Sequence, residues 1–390
     1  LYSGERGAGE RHASWFELFF DLVFVIAVAE LAHTLHDDLT FAGLVGFAAL
    51  FVPVWWQWID FSYYADQFDS DDVPFLITML TVMFGVIVLA LTIHNALHGG
   101  SLAFAATYAA LRVIIIGLYF RAWRSVPESH ELTTRYLISF IVALVVWIVS
   151  LFVAEPLRYW LWGLALLIEI GNGPVTYATI KQVPAQVSHM DERFGLFVII
   201  VLGESIVSVA GSVAEAEWQW RTVLTAAAGF ASAAGAWWLY FQRADPTVIT
   251  RAVRGTARDR LMSYVYGYSH LLVFAGITAG GVGVQVAIEG ASEPLSLPAR
   301  IALCGGAAAA LLGMDLITWA VSNPLPRIVL IRRALAGVGS IVLIALGGLV
   351  AASTLVGILA VLIIALTVVE GMESTEQAQP IGEERDLAAY

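Results

Sequence analysis

The sequence predicts an all-α polytopic membrane protein of about twelve transmembrane helices, arranged as two pseudo-symmetric six-helix halves. Three observations predict it. Of 390 residues, 59% are hydrophobic and only 13% charged, too few charges to clothe a water-facing surface of this size, so lipid must be the solvent. Apolar runs of about twenty residues, the length a helix needs to cross a layer of roughly 30 Å, recur almost without pause. The only two Trp-Trp pairs stand about half a chain apart in matching settings.

The first half is read as residues 15–190, after a cytoplasmic N-terminal segment, 1–14, that leads into the first span without a cleavable leader. Trp15–Leu35 is apolar but carries Glu17, Asp21, Glu30 and His33, while Thr40–Tyr63 ends in the aromatic run Trp55-Trp56-Gln57-Trp58-Ile59-Asp60. Val73–Leu97 follows an acidic stretch from Asp66 to Asp72, and Leu102–Trp123 holds Arg112. Thr134–Val153 is predominantly apolar after Arg135, and Leu157–Pro174 closes on Glu169-Ile170-Gly171-Asn172-Gly173-Pro174. Proline removes a donor and the two glycines permit sharp turns, so this ending predicts a helix break. The break would either free carbonyls to coordinate an ion or end the span at the interface.

The second half, 191–370, follows a polar segment with Lys181. Its spans are Arg193–Val213 with Glu204 and Ser205, Arg221–Phe241 ending in Trp237-Trp238, and Leu261–Ile288 with His270. Leu297–Val321 follows with Asp315, then Ala334–Leu349 and Ser353–Glu370, separated by a weak break at Gly347 and Gly348 that also permits eleven spans. Gly276, Gly280, Gly281 and Gly283 point to close helix packing rather than a hinge. An acidic tail, 371–390, is expected to be disordered and cytoplasmic.

Both Trp pairs close the second span of a half, and each is soon followed by Ala-Asp, at Ala65-Asp66 and Ala244-Asp245. Six spans per half start both halves on one side, which implies a pseudo-two-fold axis along the membrane normal. With the N-terminus cytoplasmic, only Arg158, Arg221 and Arg300 remain outside, as the retention of basic residues on that side demands. The net charge of -12 lies largely in the acidic stretch and the tail and gives no reason to invoke nucleic acid. Cys304, the single cysteine, excludes an internal disulfide.

Charged groups inside a bilayer normally face the protein interior and have a partner. At about 1.5 Å per residue, Arg112, Glu169, Glu204 and His270 lie about 14–17 Å into their spans, near the midplane. Arg112 is expected to pair with Glu169, Glu204 or Asp21, either as a structural ion pair or as part of a working site. Glu17 and Asp21, four apart, share a helix face and offer an acidic pair to one neighbour, Glu30 and His33 to another. Glu30, His33 and His36 follow a metal-ligand spacing, but no second copy appears and no metal site is expected. His94 and His98 read as a solvated helix end.

Two longer motifs carry a resemblance. Trp15-Phe16-Glu17-Leu18-Phe19-Phe20-Asp21-Leu22-Val23-Phe24-Val25 and Glu192-Arg193-Phe194-Gly195-Leu196-Phe197-Val198-Ile199-Ile200-Val201-Leu202-Gly203-Glu204-Ser205 are similar to the starts of the two halves in the bacterial low temperature requirement A (LtrA) family. The resemblance covers nearly the whole chain and implies a multi-spanning bacterial membrane protein. By motif it adds Glu192, Arg193 and Ser205 to Glu17, Asp21 and Glu204 as family-typical positions, without assigning their roles. Arg11 with Phe19-Phe20-Asp21 also resembles the Arg and Phe-Ser-Asp signature of a six-plus-six-span potassium channel family, from which this chain departs at Phe20 and in its second half.

Three functions fit these residues. A secondary carrier would rock two halves around midplane carboxylates that bind a proton or cation. An intramembrane enzyme would use a buried acid on a lipid or isoprenoid-like substrate, with the aromatics from Trp55 to Tyr64 stabilising a cation. A cation channel would need more pore-lining polar residues than are present. The carrier is the favoured reading, an enzyme the less favoured, and no catalytic set stands out. The partners expected are the lipid bilayer of the bacterial cytoplasmic membrane and a small solute, proton or cation. Nucleic acid is not expected, a homo-oligomer is left open, and no cofactor is named.

Overall fold

The computed structural model describes residues 14–68, 72–179, 190–216, 219–242, 257–322 and 327–377. Lys181, the Ala244-Asp245 pair, Arg6, Arg11, Arg243, Arg251, Arg254 and the tail beyond Gln377 lie outside them. Among the described residues the chain forms twelve long helices: α1 (Trp15–Asp37), α2 (Phe41–Phe68), α3 (Val73–Ile93), α4 (Ser101–Ser125), α5 (His130–Ser150), α6 (Leu157–Thr179), α7 (Met190–Glu215), α8 (Trp220–Phe241), α9 (Ala257–Glu289), α10 (Leu297–Val321), α11 (Arg327–Leu346) and α12 (Ala352–Gln377).

Local chemistry sets several ends. Ser14 and Glu17 form a reciprocal capping box, Glu17 N–H to Ser14 Oγ at 3.2 Å and Ser14 N–H to Glu17 Oε2 at 2.7 Å, which satisfies donors that a helix start would leave bare. Asp72 caps α3 by accepting from Phe75 N–H at 2.9 Å. After α11 the chain turns through Gly347–Leu349 before α12 begins, so the last apolar run is two helices. Arg300 holds that turn by donating to the carbonyls of Ile344 and Ala345 at the end of α11.

Among the described residues, eleven helices are long and apolar enough to cross a membrane. The remaining one, α6, carries Arg158, Glu169 and Asn172. Its path is nevertheless that of a crossing. Asp21, in the second turn of α1, touches Arg193, in the first turn of α7, so both helices start at one end of the bundle and an even number of crossings separates them. At the opposite end His36, in the last turn of α1, meets Glu289, the last residue of α9.

The exterior is apolar and the interior holds the charges, as a lipid solvent requires. Leu91, Leu167 and Val361 are among the exposed side chains, whereas Asp21, Arg112, Glu169, Arg193, Arg333 and Glu370 are buried. Helices α1 and α2 pack against α7 and α9 to join the two parts of the bundle. The glycines of α9 serve close packing, as expected: a Cβ on Gly276 would lie 2.5 Å from the Gly306 carbonyl oxygen of α10, and one on Gly283 would lie 2.6 Å from Leu303 Cα.

Three expectations are corrected. Helix α6 does not break at Gly171–Pro174 but runs through Pro174 to Thr179. Proline cannot donate to the carbonyl four residues back, and that group, Ile170 C=O, instead accepts from the Tyr268 hydroxyl of α9 at 2.8 Å. Helix α11 starts seven residues before the predicted Ala334, which carries Arg333 into the bundle. At the other end, 371–377 continue α12 rather than begin a disordered tail.

Candidate functional site

The central feature is built by three helices. Tyr108 and Arg112 are four apart on α4 and share a face; Gln57 and Asp60 are three apart on α2; Glu169 projects from the middle of α6. Arg112 donates through Nη1 to Asp60 Oδ2 and through Nη2 to Gln57 Oε1 at 2.6 Å. The same Nη1 lies 3.4 Å from Glu169 Oε2, which also accepts from the Tyr108 hydroxyl at 3.0 Å. The Tyr108 and Phe140 rings lie 5.1 and 5.7 Å from the guanidinium carbon. Asp60 is 5% exposed, and Gln57, Arg112 and Glu169 are wholly enclosed.

Two carboxylates therefore share one guanidinium in a buried site. The set carries one negative charge more than positive, and two like charges beside a single cation are costly to keep ionised together. One proton or one monovalent cation would balance it. Gln57 Nε2 and Arg112 Nε have no protein hydrogen-bond partner, while the Trp147 indole stands within hydrogen-bonding reach of Glu169. Asn172, one turn further along α6, accepts from Thr176 at 3.1 Å and leaves Nδ2 without a partner.

A second buried pair joins α1 to α7. Arg193 donates to Asp21 through Nη2 at 2.5 Å and Nε at 3.4 Å, and the Trp58 indole N–H donates to the same carboxylate at 2.8 Å. The rings of Phe20 and Trp58 flank the guanidinium, and Trp58 stacks on Phe197 at 4.5 Å. In the C-terminal part, Arg333 clamps Glu370 with two 2.8 Å bonds from Nε and Nη2 and also reaches Thr318 and the Leu239 carbonyl. Asp315, one turn before Thr318, lies within electrostatic reach of this pair, and its Oδ1 has no hydrogen-bond partner.

Of the predicted site residues, Arg112 and Glu169 come together, as do Asp21 and Arg193. Arg112 does not pair with Asp21 or Glu204. Glu204 accepts from Ser208 on its own helix at 3.1 Å, and Ser205 donates to the Val201 carbonyl at 3.1 Å. Glu17 is engaged in the α1 cap and also lies within electrostatic reach of Asp21 and Arg193. His33 is exposed, and Glu30 and Glu192 are half-buried. No group of residues suited to a metal occurs among the described residues.

His270 is enclosed, but both ring nitrogens are engaged: Nδ1 with the Tyr266 carbonyl and Nε2 with the Tyr240 hydroxyl, each at 2.8 Å, while Phe194 stacks on the ring at 4.1 Å. It is a hydrogen-bonded core histidine. Sequence reasoning missed Asp60, Gln57 and Tyr108 as partners of Arg112, because Asp60 and Gln57 stood inside an aromatic run read as a mark of the internal repeat. Their i, i+3 spacing on one face of an apolar helix was the available signal. Glu370 was read only as the last residue of the final span, and Arg333 as a loop cation just before Ala334.

The comparisons with known proteins agree with this architecture. A family model described as bacterial low temperature requirement A protein (LtrA) matches residues 12–369. A Rhizobium meliloti (strain 1021) protein, described as uncharacterized, is 32% identical over 282 residues, covering 70% of this chain and 68% of its own length.

Proposed function

The chain belongs to the bacterial low temperature requirement A family, and from that premise we propose that it is a secondary carrier of a small solute or ion, coupled to protonation of the carboxylates that share Arg112. The observation that supports this reading is that two buried carboxylates, Asp60 and Glu169, share the single guanidinium of Arg112. Binding and release of one proton would switch that site between balanced and unbalanced charge. A change of charge inside an apolar bundle alters which helix arrangement is favoured, and this is how protonation can drive alternating access.

The two-half arrangement belongs to the same proposal. Helix α1 packs on α2 and α3 as α7 packs on α8 and α9, and consecutive helices from the third to the sixth of each half are neighbours in both. Glu169 and Glu370 both come from a sixth helix and both meet a buried arginine. The Asp21–Arg193 pair would then be the contact across which the halves rock. We take the membrane to be the bacterial cytoplasmic membrane, with the N-terminus on the cytoplasmic side, on the distribution of basic residues.

The test is charge movement in proteoliposomes adsorbed to a solid-supported membrane, under solute pulses and pH steps. A carrier gives a transient, saturable, solute-dependent current that Asp60→Asn and Glu169→Gln each remove. Transport of a proven solute that survives both substitutions overturns the reading, and a steady non-saturating conductance identifies a channel instead.

A further inference from the structure

Helices α7, α8, α9, α10 and α12 line an open cavity of about 100 Å³. None of the residues around Arg112 lines it. Its wall is hydrocarbon, with Leu202, Val209, Ile277 and Leu359 prominent, and polar side-chain atoms enter only from Ser205 and Ser232. Both hydroxyls are engaged on their own helices, Ser205 with the Val201 carbonyl at 3.1 Å and Ser232 with the Ala228 carbonyl at 2.9 Å. The side chains thus present little to a headgroup, sugar or ion, any of which would lose its water uncompensated.

The glycines along the α9 wall divide into two kinds. At Gly276 and Gly281 an added Cβ would lie 2.5 Å from the Gly306 carbonyl oxygen and 2.7 Å from Ser205 Oγ, so helix packing requires them. At Gly280 it would meet only the Leu303 carbonyl oxygen, at 3.9 Å. Packing leaves room for a side chain there, and the glycine keeps that room in the cavity.

The mouth has a definite direction. Ile206 of α7 and Phe230 of α8 line it and are 38% and 58% exposed, on two helices that are each apolar enough to cross a membrane. The cavity is therefore continuous with the lipid-facing surface at a depth where phospholipid tails are the surrounding medium. We infer that this cavity takes the acyl chain of a bilayer phospholipid, which enters sideways between α7 and α8 while its headgroup stays at the membrane surface. The inference rests on the membrane-spanning fold and is independent of the carrier reading.

The full chain in nanodiscs containing a phosphatidylcholine with a diazirine midway along one acyl chain tests this by photolysis and peptide mapping. Ile277 is the diagnostic position, because it lines the cavity and is only 8% exposed. The expected result is labelling at Ile277 at least as dense as at Ile141 and Val145 on the outer face of α5. Gly280→Leu with Ala233→Leu, which fills the cavity, lowers the Ile277 adduct by at least fivefold and leaves those on α5. Labelling of α5 with none at Ile277 in the native chain overturns the inference, whether or not the filled variant folds. Labelling of Ile277 by a diazirine prenyl phosphate, but not by the phosphatidylcholine, overturns the choice of occupant in favour of an isoprenoid.

Discussion

Arg193 of α7 and Asp21 of α1, 172 residues apart in sequence, meet at 2.5 Å with neither more than 1% exposed. The pair joins the openings of the two sequence motifs and ties the helices that start at the same end of the bundle. Breaking one side of such a buried pair strands a charge, which costs about 3–5 kcal/mol. Arg193→Met is expected to lose about that much, and adding Asp21→Asn should recover part of it, since the introduced amide still accepts from the Trp58 indole without carrying a charge. Thermal unfolding of the two single variants and the double variant in nanodiscs measures the coupling.

The shared guanidinium at Arg112 makes an opposite pattern. Glu169→Gln or Asp60→Asn alone leaves one carboxylate for one arginine, so each single variant should keep native stability within about 1 kcal/mol. The double variant leaves Arg112 without a counter-charge and should lose about 3–5 kcal/mol. Additive, uniformly destabilising single substitutions would show that both carboxylates are needed ionised and that the set is a scaffold.

Pro174 and Tyr268 should be coupled through Ile170. Tyr268→Phe leaves a carbonyl bare inside the bundle and is expected to cost about 1–3 kcal/mol. In a Pro174→Ala background the restored amide can donate to Ile170 itself, so the same Tyr268→Phe change should cost less than half as much. Equal costs in both backgrounds would mean that the hydroxyl matters elsewhere.

At the start of α3, the Arg121 guanidinium, hydrogen-bonded to Asp72, holds that carboxyl below its ordinary value, with help from Phe75 N–H. A carboxylate with a depressed folded value stabilises the fold above the unfolded value of about 3.9 and loses that contribution as pH falls through the folded one. Asp72→Asn keeps the cap and removes the charge. Both side chains are partly exposed, at 27% and 36%, so solvent screens the pair and the variant should be less stable by only a few tenths of a kcal/mol at neutral pH. The difference should shrink as pH falls below the unfolded value of about 3.9 and through the lower folded one in a Tm series.

Much of the architecture was legible because each lipid-facing helix must declare itself locally, through twenty apolar residues and the polar breaks around them. The boundaries that slipped are those where a distant group changed the local outcome. Pro174 reads as a stop until Tyr268 takes over the carbonyl it frees. Arg333 reads as a loop cation until Glu370 supplies a buried counter-charge that lets α11 begin earlier.

Read alone, the chain declares that it crosses a membrane many times, that acids and arginines lie buried along those crossings, and that two motifs open its two parts. The pairings came only with the folded arrangement: Asp60 with Arg112, Asp21 with Arg193, Glu370 with Arg333. Apolar length is a property of one helix, read along the chain. The solvation of a buried charge depends instead on whichever side chains other helices bring within about 3 Å of it, and hydropathy carries no record of that rotation and register.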